Sequence, residues 1–283
     1  MKLDHPKGAG QIAAARDHVD AGGFAPKLRA SFAFTPDAVI YAQLQEGYRA
    51  GGFNIPAAAS GDLAAAREVT SFRPDRLRSY EVGATWPLFA KALSLRAAVF
   101  RADWSRLQTD QYLASGLPMT VNIGDGINTG LETELVWRPD DHWQIRGNLL
   151  IEDPEITRVS HAFPASIDIG LPGVPSVLAS GDIRYRWAVG ASLKAEASAQ
   201  YAYVGRSNLT FDGAAASAMG DYGVGRVGVT LESDAWRAQA FIDNVADTRG
   251  NTFAFGDPFS RARARQATPL RPRTIGLSVT RGF

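Results

Sequence analysis

The 283-residue chain contains no cysteine, which excludes disulfide staples and thiolate metal sites and fits an oxidising, extracytoplasmic setting. Its four histidines, His5, His18, His142 and His161, lie far apart without ligand-like spacing, so they read as polar surface or lumen residues and no cofactor or metal is expected. Charge of one sign is also lacking. Thirty Lys and Arg against 29 Asp and Glu leave a formal charge of +1, with no basic excess to draw nucleic acid. No run approaches the roughly 20 apolar residues of a membrane helix, and Met1-Lys-Leu-Asp-His-Pro lacks the apolar core of a secretory signal. Enzyme signatures are missing too: spacing suggests no Ser, His and acid set, and the glycines of DAGGF, GDG and GVG open no helix inside a βαβ unit.

What the chain does have is alternation. In SLKAEASAQYAYVG, Lys194, Glu196, Ser198 and Gln200 share one parity, while Leu193, Ala195, Ala197, Ala199, Tyr201 and Tyr203 share the other. Successive strand side chains point to opposite faces, so this is one strand with a polar and an apolar face. SVLASGDIRYRW, HWQIRGNLLIE, GINTGLETELVWR, YEVGATW and KLRASFAF repeat the pattern at about ten residues each, the length with which a tilted strand crosses a bilayer.

Connections add a second signal. Short turns at Thr35-Pro36-Asp37, Pro87 to Ala90, Pro139-Asp140-Asp141, Ala188 to Ala191 and Ser233-Asp234 alternate with long segments near 50–75, 114–119, 158–175, 207–220 and 249–271. Outer-membrane barrels sort their loops this way. Trp86, Trp137, Trp143, Trp187 and Trp236 all fall on the apolar parity beside a short turn, as an interfacial aromatic girdle would; Trp104 alone falls elsewhere.

These patterns predict an all-β chain of about eleven antiparallel strands near 27–34, 38–48, 77–87, 92–112, 120–138, 142–156, 176–187, 192–206, 221–232, 235–245 and 272–283. Strand 92–112 should carry a bulge or leave the membrane early, because Phe100 and Trp104 share the parity of Arg96. Residues 1–26 show no period and read as a loop remnant, and 27–283 as one barrel portion.

Five motifs then look familiar: EGYRAGGFN at 46–54, FRPDRLRSYEVGAT at 72–85, NIGDGINTGLETEL at 122–135, FIDNVADTRG at 241–250 and RPRTIGLSVTRGF at 271–283. In this order they resemble the C-terminal half of the barrel of TonB-dependent outer-membrane receptors. The resemblance implies part of a barrel of about 22 strands whose lumen is filled by a plug domain. It implies partners as well: outer-membrane lipid, the barrel assembly machinery, TonB, and a large scarce nutrient, foremost a ferric siderophore. The terminal strand ending on Phe283 resembles the C-terminal signal read by that machinery. The chain shows no plug, TonB box or signal peptide, and eleven is an odd count where bacterial barrels are even. A truncated, mis-called or split gene is therefore the expectation. The alternative function is a passive pore or structural outer-membrane protein.

Parity assigns Arg29, Gln43, Gln45, Glu81, Arg96, Glu132, Glu134, Arg146, Glu152, Asp182, Arg184, Arg186, Lys194, Glu196, Arg226, Glu232, Arg237 and Asp243 to the lumen. Among them Arg184 and Arg186 are candidate contacts for an anionic ligand. In the connection Asn251 to Arg271, Phe253, Phe255 and Phe259 beside Arg261, Arg263 and Arg265 are candidate extracellular contacts for a ligand or for lipopolysaccharide phosphates.

Overall fold

The computed structural model describes residues 23–54, 71–112, 118–160, 170–208, 218–252 and 267–282. Eleven strands form one antiparallel sheet in which each pairs with its sequence neighbours. They are β1 (Lys27–Ala33), β2 (Val39–Arg49), β3 (Asp75–Leu88), β4 (Leu93–Tyr112), β5 (Pro118–Trp137), β6 (Trp143–Val159), β7 (Val177–Ala188), β8 (Lys194–Val204), β9 (Tyr222–Glu232), β10 (Trp236–Asp243) and β11 (Thr274–Arg281). Every expected strand is present. β8 is shorter than expected, and β10 stops at Asp243 because Asn244 turns the backbone to φ 50. Two short ladders, Gly52–Phe53 with Ser71–Phe72 and Ser207–Asn208 with Ala218–Met219, stand at the long connections.

Register places all eighteen parity-assigned residues on one face. Charges meet directly across strands there: Arg96 opposite Glu134, Arg146 opposite Asp182, Arg186 opposite Glu196, Arg226 opposite Asp243. Opposite charges across a non-local pair favour this register over a one-residue slip. This face is concave, since hollows of about 450 and 550 Å³ open on it. The convex face is apolar and bare: Ile275 is 77% and Leu277 76% exposed.

The bulge expected in strand 92–112 is there. Register slips between Trp104 and Leu107, where Arg106 takes φ 54. Beyond it Leu107 joins Ile123 and Ile156 in a small buried cluster against Trp104, Val121 and Leu171, so the extra residue re-aims the strand into local packing.

Glycines on the concave face make room for aromatic rings. A Cβ on Gly83 would lie 2.6 Å from the Tyr41 hydroxyl, and one on Gly130 would lie 2.5 Å from the Phe100 ring. Each ring lies over the glycine directly opposite it. That is why the apolar and polar alternation of YEVGAT and NTGLETE is broken by a glycine.

Candidate functional site: the concave wall and its rim

Wall charges are mostly spoken for. Arg186 Nε donates to Glu196 Oε2 at 2.7 Å, Arg184 Nε to Asp182 Oδ2 at 3.2 Å, and Arg226 lies 3.3 Å from Asp243. Tyr41 donates its hydroxyl to Glu81 at 2.5 Å beneath the Arg29 guanidinium, which sits 4.0 Å from the ring centre. Arg184 nevertheless borders two hollows, the one of about 550 Å³ and a smaller one of about 190 Å³ that also touches Arg226, Arg237 and Gln200. A mixed, internally paired wall of this kind presents fixed dipoles to whatever fills the lumen.

The rim at the long-connection end is more specific. Asp75, 2% exposed, accepts Arg49 Nε at 2.9 Å, the Arg49 N–H at 3.1 Å, Trp104 Nε1 at 2.9 Å and the Gln108 N–H at 3.2 Å. Gln108 in turn donates its side-chain amide to the carbonyls of Ala50 (3.0 Å) and Arg73 (2.9 Å). Asn122 accepts the Arg73 N–H at 2.7 Å and donates to Arg106 O, while Asn54 exchanges two 2.8 Å bonds with the Thr120 backbone. Both stems of the connection between β2 and β3 are thus bolted to β4 and β5.

A second clamp uses the same logic. Asn244, 3% exposed, donates to the carbonyls of Thr248 and Arg271 at 3.0 Å and accepts the Thr248 N–H at 2.8 Å. Asp247 accepts the Arg273 N–H at 3.0 Å, and Asn251 accepts that of Thr268 at 3.0 Å. The connection between β10 and β11 is held at both stems. The recognised motifs therefore converge on the rim: Arg49 with Asp75, Asn122 with Arg73, Asn244 with Arg271. Buried carboxylate and amide groups satisfied by backbone partners fix loop stems in one geometry.

The five tryptophans stand at the opposite, short-turn end on the convex face. Trp143 lies 4.7 Å from Tyr185, which stacks on Trp187 at 5.6 Å, and Phe34 meets Trp86 at 5.4 Å. Trp104, the exception, faces inward at the other end. His142 donates from Nδ1 to the Arg186 carbonyl, 2.7 Å away, as a polar turn residue. Phe253, Phe255, Phe259, Arg261, Arg263, Arg265 and Phe283 lie outside the described residues. Sequence reasoning did not find the Asp75 and Asn244 clamps, although both residues sit inside quoted motifs, and no group suited to a metal ion occurs among the described residues.

A family model described as "TonB dependent receptor-like, beta-barrel" matches residues 5–245. The chain belongs to that family. Among curated relatives of this TonB-dependent receptor barrel, the pesticin receptor of Yersinia pestis is 27% identical over 276 residues, spanning 91% of this chain and 36% of the receptor. Among solved structures, the ferric yersiniabactin uptake receptor FyuA of Yersinia pestis superposes with a TM-score of 0.69 at 20% identity, over 89% of this chain and 36% of that one. The ferric preacinetobactin receptor BauA of Acinetobacter baumannii gives 0.64 at 18%, over 90% and 36%. The copper transporter OprC gives 0.62 at 15%, over 89% and 38%. These likenesses establish the barrel fold. The chain spans about a third of the relatives' length.

Proposed function

We propose that these residues form the C-terminal part of the barrel of an outer-membrane receptor that imports a large scarce nutrient, foremost an iron–siderophore complex, with energy drawn through TonB. The observation that carries the reading is the eleven-stranded sheet with a bare apolar convex face and a charged concave one, in a chain of the TonB-dependent family. In hydrocarbon every backbone donor and acceptor needs a partner, which a closed barrel supplies. The convex face then meets outer-membrane lipid, the tryptophans form the girdle at the short-turn boundary, and the concave wall faces a plug domain. The barrel assembly machinery inserts the chain, reading its end at Phe283. Arg184 and Arg186 line the wall as contacts for anionic groups, and the stems held by Asp75 and Asn244 present the outer loops, including the segment of Phe253, Phe255, Arg261 and Arg263, to the ligand.

The test is uptake. Cells lacking the complete gene should lose accumulation of one radiolabelled ferric siderophore under iron starvation and regain it from a plasmid copy, only when TonB is present. Uptake unchanged across a panel of iron complexes would remove the siderophore assignment. Restored uptake of copper instead would redirect the nutrient without changing the receptor class. The passive-pore alternative requires TonB-independent flux.

A further inference from the structure

We propose that the concave face of β6 to β10 carries an anion lane, a stair of arginines down which a carboxylate-bearing, anionic nutrient passes from the long-connection rim to the short-turn end. The proposal deepens the receptor reading and rests on that face being the wall of the lumen.

Two hollows adjoin on this part of the wall. The upper, of about 550 Å³, reaches the rim at Arg271 and is bordered by Arg146, Arg184 and Arg226. The lower, of about 190 Å³, shares Arg184, Gln200 and Arg226 with it and extends to Arg237. Register sets the order of the steps: Gln200 lies opposite Arg226, Ser198 opposite Arg184, and Glu232 opposite Arg237. Arg226 and Glu232 are six residues apart on β9, about 20 Å along the strand. Arg237 is the second residue of β10, beside the short turn at Ser233-Asp234. The stair therefore runs from the rim almost to the other end of the wall.

Positive charge is in excess along it. Five guanidiniums border the two hollows against three carboxylates, Asp182, Asp243 and Glu196, and Glu196 is already held by Arg186. Arg184 leans on Asp182 at 3.2 Å and Arg226 on Asp243 at 3.3 Å. Arg146 lies against the Gln144 side-chain amide at 2.6 Å, although Asp182 is opposite it in the ladder. Among the described residues no carboxylate pairs with Arg237 or Arg271. The neighbouring hollow of about 450 Å³ has the reverse balance, Arg96 against Glu132 and Glu134, so the excess is local to this sector.

Such an arrangement moves an anion as well as attracting it. A guanidinium presents five donors in a fork that fits a carboxylate, and a single ion pair leaves several of them open. Arg184 and Arg226 border both hollows, so an anion meets the next guanidinium before it leaves the last. Ser198, Gln200 and Gln239 stand between the steps as uncharged groups that hydrogen-bond a passing oxygen without trapping it. A cleft of one sign between low-dielectric walls also raises the local concentration of counter-ions.

The experiment reads charge selectivity at one point of the stair. The chain has no cysteine, so Ser198→Cys places a single thiol in the lower hollow of the complete receptor, in a background freed of cysteine elsewhere. In iron-starved cells its modification is timed with a methanethiosulfonate bearing a sulfonate and with one bearing a trimethylammonium, each rate divided by that for a free thiol. The sulfonate reagent should be favoured by about ten-fold, the lower end of what such a cleft does to local counter-ions, and only in cells that have TonB. Adding Arg226→Gln and Arg237→Gln should bring the ratio near one with the surface amount of receptor unchanged. Arg237→Gln has no ion pair to lose, so it carries the test alone if the double variant fails to fold. A ratio near one with the arginines present, no modification by either reagent, or a preference that the Gln variants leave intact overturns the stair. The same preference in cells without TonB would keep the stair and sink energised import in favour of the passive pore.

Discussion

Trp104 donates its indole N–H to Asp75 at 2.9 Å, tying β4 to the first residue of β3. The bulge just beyond Trp104 gives the same carboxylate the Gln108 N–H, so one buried acid joins two strands and a loop stem. Replacing Trp104 by Phe removes one bond to a charged acceptor and is expected to cost about 1.5–3 kcal/mol. Asp75→Ala should cost more, since it strands the indole and Gln108 donors, and it should speed proteolysis between residues 54 and 71. Urea midpoints and limited digestion of the complete receptor check both; equal stability of Asp75→Ala and wild type would remove the clamp from the account.

Filling the space under Tyr41 provides a separate measure of the concave face. Gly83→Val drives methyl groups into the ring and breaks its hydroxyl bond to Glu81, with an expected cost of about 1–3 kcal/mol. Adding Tyr41→Ala on top of it should recover part of the loss, because the clash goes with the ring. A double variant less stable than the sum of the singles contradicts the packing.

Leu277 and Ser278 are neighbours on opposite faces of β11. Leu277→Arg is expected to lower the yield of folded, heat-modifiable receptor, with a cost of up to about 2–4 kcal/mol near the bilayer midplane. Ser278→Arg, on the wall, should be tolerated. If the two behave alike, the facing is wrong.

One turn carries a pH dependence. Asp140 Oδ1 accepts the N–H groups of His142 and Trp143 at 2.8 and 2.9 Å. The Trp143 bond first, and the His142 bond next, hold the carboxyl below its ordinary 3.8. A depressed folded value means the carboxylate's contribution is complete above the unfolded value and is lost as pH falls through the folded one. The stability gap between wild type and Asp140→Ala should therefore be constant at neutral pH and shrink below about pH 4. A gap that widens in acid would reverse the sign.

Among the described residues β1 and β11 are each paired on one side only, and the polypeptide 1–283 made alone would present them so. Bare edges beside a bare apolar face should drive it to aggregate in detergent, with no sharp monomer by sedimentation. A monodisperse, heat-modifiable monomer would contradict this.

Strands and facing were legible because period two is local: Lys194 and Glu196 declare their face without reference to any other strand. The bulge at Arg106 was not legible in this way: the ladder runs unbroken from Leu93 to Trp104, so Phe100 and Trp104 do share the face of Arg96, and the slip comes only beyond Trp104. Nor were the ion pairs of the wall, since Arg186 meets Glu196 only through the pairing offset of β7 and β8. The rim clamps were further out of reach: Arg49 and Asp75 lie 26 residues apart, and Gln108 reaches Ala50 across 58. Their residue types, Asp, Asn and Gln beside Gly and Pro, read simply as loop until the backbone groups they satisfy are brought to them.

Antiparallel order through eleven strands has one more consequence. β1 and β11 point the same way, so neither can zip to the other, nor to the opposite edge of a twin in the same orientation, except in parallel. An antiparallel seam at both edges demands a closing segment with an odd number of strands, which makes the finished cylinder even. Two copies of this sheet side by side would instead have two parallel seams, a mixed ladder whose slanted bonds break the uniform stagger of the wall.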